Sequence, residues 1–304
     1  MARAVAGRSW RCVFACALIL FGVTAGAAAA PPIDASGNRV VTRPRSDTDP
    51  KGIPLADNWR AIPELELSER YDDNIFSDPE TRRTDAITLI RPRVDVIGAT
   101  RWGTMEADAY GDVELYADRG TENVSDFGAG VAVETRAERR HGVGAAVRFD
   151  RQAEDRGDPE EASVRRRSQR DVARAQTFYR FRSGRLETEL AGDIRHLAFR
   201  READTDRDRT EWRLAPRLGY AISPLLRLSV SPVFERIRFD RDLDDLGFDR
   251  DRDEAGGSVR IDLGDGAIYS GRLEVGARWI DTRDPAFDDL TVLTSKLTLN
   301  WLPD

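Results

Sequence analysis

The sequence is nearly without thiols, amines and imidazoles. Its two cysteines, Cys12 and Cys16, both precede residue 30. Once that segment is removed as a leader, no thiol is left. Disulfides, thiolate nucleophiles and cysteine metal sites are then excluded. Lysine occurs only at Lys51 and Lys296, so arginine supplies nearly every cation, and histidine only at His141 and His196. After the leader no apolar run is long enough for a membrane helix, and the mean hydropathy is −0.52. This argues against an inner-membrane helical protein and leaves open a barrel, whose spans are short and half polar. The formal charge of −7 falls to about −10 without the leader arginines, which disfavours nucleic acid as a partner.

What is present begins with a secretory leader over 1–29. Arg3, Arg8 and Arg11 form a basic start, Cys12 to Val23 an apolar core too short to span a bilayer, and Ala25 to Ala30 a small-residue cleavage region. Val13-Phe14-Ala15-Cys16 fails as a lipoprotein signal because the apolar core runs on past the cysteine. Residues 30–62 are rich in Pro, Asp and Arg and read as a periplasmic extension. Residues 63–304 read as the barrel.

The dominant pattern there is alternation. In Met105 to Tyr116, Met105, Ala107, Ala109, Val113 and Leu115 point one way, while Glu106, Asp108, Tyr110, Asp112, Glu114 and Tyr116 point the other. The pattern recurs in about twelve candidate strands: Leu65 to Tyr71, Ala86 to Ile97, Thr104 to Tyr116, Phe127 to Ala137, Val143 to Arg151, Arg170 to Arg182, Leu186 to Ala198, Glu211 to Ile222, Leu226 to Phe239, Ser258 to Leu263, Ile268 to Ile280 and Val292 to Trp301. Connections alternate between short ones with turn chemistry, such as Ser183-Gly184 and Gly264-Asp265-Gly266, and long ones crowded with Asp, Glu and Arg. Short periplasmic turns and long external loops predict an all-β, antiparallel, transmembrane up-and-down β-barrel. Aromatic residues such as Trp212, Tyr220, Tyr269, Trp279 and Trp301 stand near strand ends, where interfacial girdles belong. Pro92, Pro216 and Pro232 each remove a ladder donor. At Arg236 and Arg238 the polar parity reverses, which predicts a bulge or a strand end.

A motif follows at Glu69-Arg70-Tyr71-Asp72-Asp73-Asn74-Ile75-Phe76, with Arg43-Pro44-Arg45 and Asp49-Pro50-Lys51-Gly52-Ile53-Pro54 upstream. Together these resemble the putative β-barrel porin 2 family of Gram-negative bacteria, over roughly Val41 to Trp301. The resemblance implies an outer-membrane barrel, in a family often associated with exopolysaccharide production or export, and lends no catalytic residues. Family members carry further strands after a segment like Leu297 to Pro303. That leaves two alternatives, a truncated chain or a barrel closing at twelve strands. Locally, Tyr71 closes a strand, Asp72, Asp73 and Asn74 favour an Asx turn, and Ile75 and Phe76 can fold back on the rim.

Candidate functional residues lie on the face pointing into the lumen. They are Arg91, Arg93 and Asp95; Glu106, Asp108, Asp112 and Glu114; Arg170, Arg174 and Arg180; Glu187, Glu189 and Asp193; and Arg213 and Arg217. Opposite signs on neighbouring strands predict cross-strand ion pairs, and either a selective path or a lumen narrowed by ladders follows. Asp240, Asp242 and Asp244 lack the Gly and Glu of a calcium loop, since Asp245 and Asp251 stand there. No metal or cofactor is expected. A rival hydrolase would need a rim histidine, yet His141 falls in a short turn and His196 on the lipid side. A structural or adhesive barrel is a further reading. The expected partners are outer-membrane lipid and lipopolysaccharide, the barrel-assembly machinery and polysaccharide-export components.

Overall fold

The computed structural model describes residues 52–76, 80, 82–135, 140–154, 167–264 and 269–301. Residues 1–51, which include the predicted leader and most of the predicted extension, parts of four connections and the last three residues lie outside the described residues. Within them, thirteen strands form one antiparallel sheet in strict sequence order: β1 (Ile53–Ala56), β2 (Trp59–Asp72), β3 (Asp85–Ala99), β4 (Gly103–Tyr116), β5 (Val124–Thr135), β6 (His141–Ala153), β7 (Gln169–Ser183), β8 (Leu186–Phe199), β9 (Arg209–Ala221), β10 (Leu226–Phe239), β11 (Arg252–Leu263), β12 (Tyr269–Thr282) and β13 (Leu290–Trp301). The architecture is all-β and up-and-down. No pairing joins β13 to β1 or β2 among the described residues, so the sheet has two open edges.

The sequence reading differs from this at identifiable places. It missed β1 and the first half of β2, because Pro54 and Pro63 mask the period. Ile53↔Ala61 and Pro54↔Arg60 pair nonetheless. Trp59 lies over Gly98, where any Cβ would collide with the indole. β11 starts at Arg252, ahead of the expected Ser258, because Gly256-Gly257 breaks the alternation without breaking the ladder. His141 opens β6 and is not in a turn.

Connections keep the short–long alternation. β7 and β8 are joined by Gly184-Arg185, with Gly184 at φ +56°, a backbone state that glycine adopts at no steric cost. The long connections at the opposite end hold short 3-10 turns at Gly120–Glu122 and Glu202–Arg207. The prolines interrupt one ladder each. Register pairs are absent at Pro92 opposite Gly111 and at Pro232 opposite Pro216, while the partners on the other sides stay paired.

One face of the sheet is exposed and apolar. Leu190, Ile194, Leu214, Leu218, Val230, Phe234, Val259, Leu273, Val275, Leu293 and Leu297 all stand on it and are all exposed. No second layer covers this face among the described residues, the inverse of a soluble sandwich. Trp212 and Tyr220 on β9 bracket a stretch of about nine residues, the length a tilted strand needs to cross a bilayer. The other face carries charge.

No bulge exists at Arg236. β10 keeps an unbroken register with β11 from Leu226↔Leu263 to Ile237↔Arg252. The parity reverses because the faces exchange character at the long-loop end. There Arg236 and Arg238 point outward and pair with Asp253 at 2.8 Å each, while Ile237 is buried on the inner side. On β8 Leu197 and Phe199 are likewise buried inward, and on β3 so are Ile87 and Leu89. At this end the strands carry charge outside and an apolar core inside.

Candidate functional site

The sheet alternation puts all the sequence-selected charged residues on the inner face, and the register brings most of them together. Arg91 on β3 reaches Asp112 on β4 at 3.0 Å and Glu66 on β2 at 3.2 Å. Arg93 binds Asp95 two residues along its own strand at 2.9 Å. Arg174 meets Asp193 at 2.7 Å, and Arg180 meets Glu189 at 3.0 Å, both between β7 and β8. Arg217 on β9 approaches the same Glu189 at 3.6 Å. Arg213 stands opposite Asp193 in the register, but its Nε is buried with no hydrogen-bond partner among the described residues. Arg170 turns to Glu154 in the loop after β6, at 3.6 Å. Glu106 is on the same face, opposite Ala132 and Ile97.

A second set of pairs leaps over a strand. Arg148 on β6 reaches Asp108 on β4 at 2.8 Å. Between them β5 offers only Gly130, where a Cβ would sit 3.1 Å from both side chains. Gly128, one step along, leaves room for the Tyr110 hydroxyl to donate to Asp150 at 3.0 Å. Arg180 likewise approaches Glu134 on β5 at 3.6 Å beside Gly142 of β6. Arg227 on β10 approaches Glu187 on β8 at 3.4 Å past Gly219 of β9. These glycines were missed in the sequence reading. Their signal was there: each stands at a polar-parity position where its neighbours are charged.

At the long-loop end Glu114 gathers Arg167 at 3.2 Å, the Tyr116 hydroxyl at 3.2 Å and Arg70 at 3.7 Å. The motif closes over this corner. Asn74 donates its backbone N–H to Asp72 Oδ1 at 2.9 Å, an Asx turn. Ile75 N–H then donates to the Arg83 carbonyl at 3.0 Å. That reversal buries Ile75 against Ile87, Leu89 and Tyr116, with Phe76 packed alongside. Asp73 approaches Arg82 at 3.6 Å in solvent, and Tyr71 stays exposed on the outer face.

The family model described as putative beta-barrel porin 2 matches residues 46–304, most of the chain. The chain belongs to that family. No curated protein matches it. In this porin-family sheet both histidines lie against hydroxyl groups. His196 Nδ1 lies 3.0 Å from the Thr210 hydroxyl on the outer face, and His141 Nδ1 lies 2.7 Å from the Tyr179 hydroxyl. Asp244, in the acidic loop between β10 and β11, accepts from the backbone N–H groups of Leu246 and Phe248 at 2.9 Å each and approaches Arg250 at 3.4 Å. The Phe248 N–H, chiefly, holds its carboxyl below the usual range. Its oxygens organise the loop. No helix among the described residues is long and apolar enough to cross a membrane.

Proposed function

We propose that the protein is an outer-membrane β-barrel of porin type, with its long loops outside, that passes solutes through the lumen lined by the charged face and serves exopolysaccharide export. The two-faced sheet carries this reading. A continuous band of exposed apolar side chains backs a continuous ladder of ion pairs, which suits lipid on one side and water on the other. Family membership supports the barrel and favours a non-enzymatic role. The polysaccharide link rests on the resemblance alone. Lipopolysaccharide around the outer rim, the barrel-assembly machinery during insertion and polysaccharide-export components are its proposed partners.

Membrane fractionation and heat-modifiable gel mobility test the barrel. A soluble, unshifted band would refute it. The density of the ion-pair ladder favours one second reading, a structural or adhesive barrel with a closed lumen. Single-channel recording in planar bilayers separates the two: stepwise conductance supports passage, and intact folding without current supports the closed barrel.

A further inference from the structure

The polar face of β8 to β13 lines a half-open cavity of about 600 Å³ at the short-turn end, beside Ser223 to Leu226 and Gly264. Five cations line it, Arg217, Arg227, Arg260, Arg272 and Lys296, against the carboxylates of Glu187, Asp262 and Glu274. Those carboxylates are already engaged. Glu187 meets Arg182 and Arg227 at 3.4 Å each. Asp262 takes Arg272 at 2.6 Å. Glu274 takes the Ser258 hydroxyl and Arg260, both at 2.8 Å. Lys296 stands opposite Glu274 in the register, yet enters no ion pair among the described residues. Arg227 and Arg272 are each 53% exposed and spend one nitrogen apiece on their carboxylates. The cavity therefore carries surplus positive charge with donors turned to water. Ser229, Thr298 and Asn300 add neutral hydrogen-bonding groups on the same wall.

We infer that this cavity is an anion-binding site at the periplasmic mouth, taking a sugar-sized solute that bears a carboxylate or a phosphate. The orientation rests on the porin-type reading. The volume falls in the range of small-molecule sites and exceeds what a bare inorganic ion fills. Guanidinium forks fit both oxyanions, and the hydroxyl and amide groups fit a sugar ring. The inner face of β4, with Glu106, Asp108, Asp112 and Glu114, has the opposite sign. An anion entering the lumen is thus drawn to the β8–β13 wall and repelled from the β4 wall.

The test is calorimetric titration of the folded, detergent-solubilised protein with glucuronate, glucose 6-phosphate and glucose at low salt. Binding of either acid and not of glucose is expected, and which acid binds more tightly identifies the preferred oxyanion. Lys296→Gln and Arg227→Gln should each weaken it by about threefold or more, the scale of a partly screened charge pair. Asp288→Asn, in the long connection between β12 and β13 at the opposite end, should leave it unchanged. Lys296 is exposed and unpaired, so its variant retains the fold, checked by heat-modifiable mobility. Glucose binding as well as the acids do, or both variants binding like the parent, would overturn the site. Bilayer recording keeps the two readings apart. Selective binding without current refutes passage and retains the site, whereas current without acid binding refutes the site alone.

Discussion

Gly130 shows how much one missing Cβ decides at the residue scale. The Arg148–Asp108 pair spans from β6 to β4 only because nothing rises from β5 between them. Gly130→Val places a branched side chain within that bridge, and overpacking of this kind costs about 1–3 kcal/mol. The expected outcome is a lower denaturant midpoint for the micelle-folded protein. Gly192→Ala is the matched control, because its Cβ meets nothing closer than 3.7 Å, and it should be near neutral. Asp244 carries a pH dependence of its own. Its carboxyl is held below the ordinary value, chiefly by the Phe248 N–H. A depressed acid stabilises the fold at pH above its ordinary value and loses that contribution as pH falls through the folded value. Limited proteolysis should therefore leave the β10–β11 loop intact at pH 5 and cut it more readily once Asp244 is protonated. Asp244→Asn should abolish the difference.

A strand of this sheet is two strands of different logic joined end to end. Within the apolar band β12 presents Leu273, Val275 and Trp279 outward and Arg272, Glu274 and Arg278 inward. Val275 is near its middle, so Val275→Arg should cost about 2–4 kcal/mol, the scale for an arginine facing lipid at mid-depth. Ser231→Arg on the inner face of β10 should stay within about 0.5 kcal/mol. Both are read as shifts in unfolding midpoint in lipid vesicles. The upper part of β10 obeys the reverse rule, with Arg236 and Arg238 outward and Ile237 inward. This explains what was legible in the sequence. Leu226 to Phe239 was readable from end to end because its period never breaks, even where its polarity inverts. The inversion predicts a bulge or a strand end only when each face of a strand is given one solvent along its whole length. β1 and the start of β11 were invisible for another reason: proline and paired glycine carry no polarity to count. The charged residues were legible by type and face, but their partners were not. Pairing across a strand depends on glycines, which the apolar–polar count treats as silent.

At the scale of the whole molecule the two open edges matter most. Along β13 the backbone groups of alternate residues face away from β12, and along β2 those beyond the short β1 pairing face away from β3. Hydrocarbon offers no partner for an unpaired N–H or C=O, and each would cost several kcal/mol. On the proposed porin-type reading the apolar outer face puts these edges at lipid depth, since Leu293 and Leu297 on β13 and Leu65 and Leu67 on β2 are among the most exposed side chains. The edges must therefore be sealed by strand pairing once the protein is in a bilayer. β2 runs toward the long-loop end and β13 away from it, so each edge accepts an antiparallel neighbour, as an up-and-down barrel requires. Hydrogen exchange in nanodiscs measures this directly. Alternate amides of β13 should exchange as slowly as those of β7, which is paired on both sides. In a water-soluble fragment preparation, where no lipid forces closure, the same amides should exchange faster. Fast exchange along β13 in nanodiscs would mean the edge stands in water, and with it the apolar face could not be the lipid-facing wall.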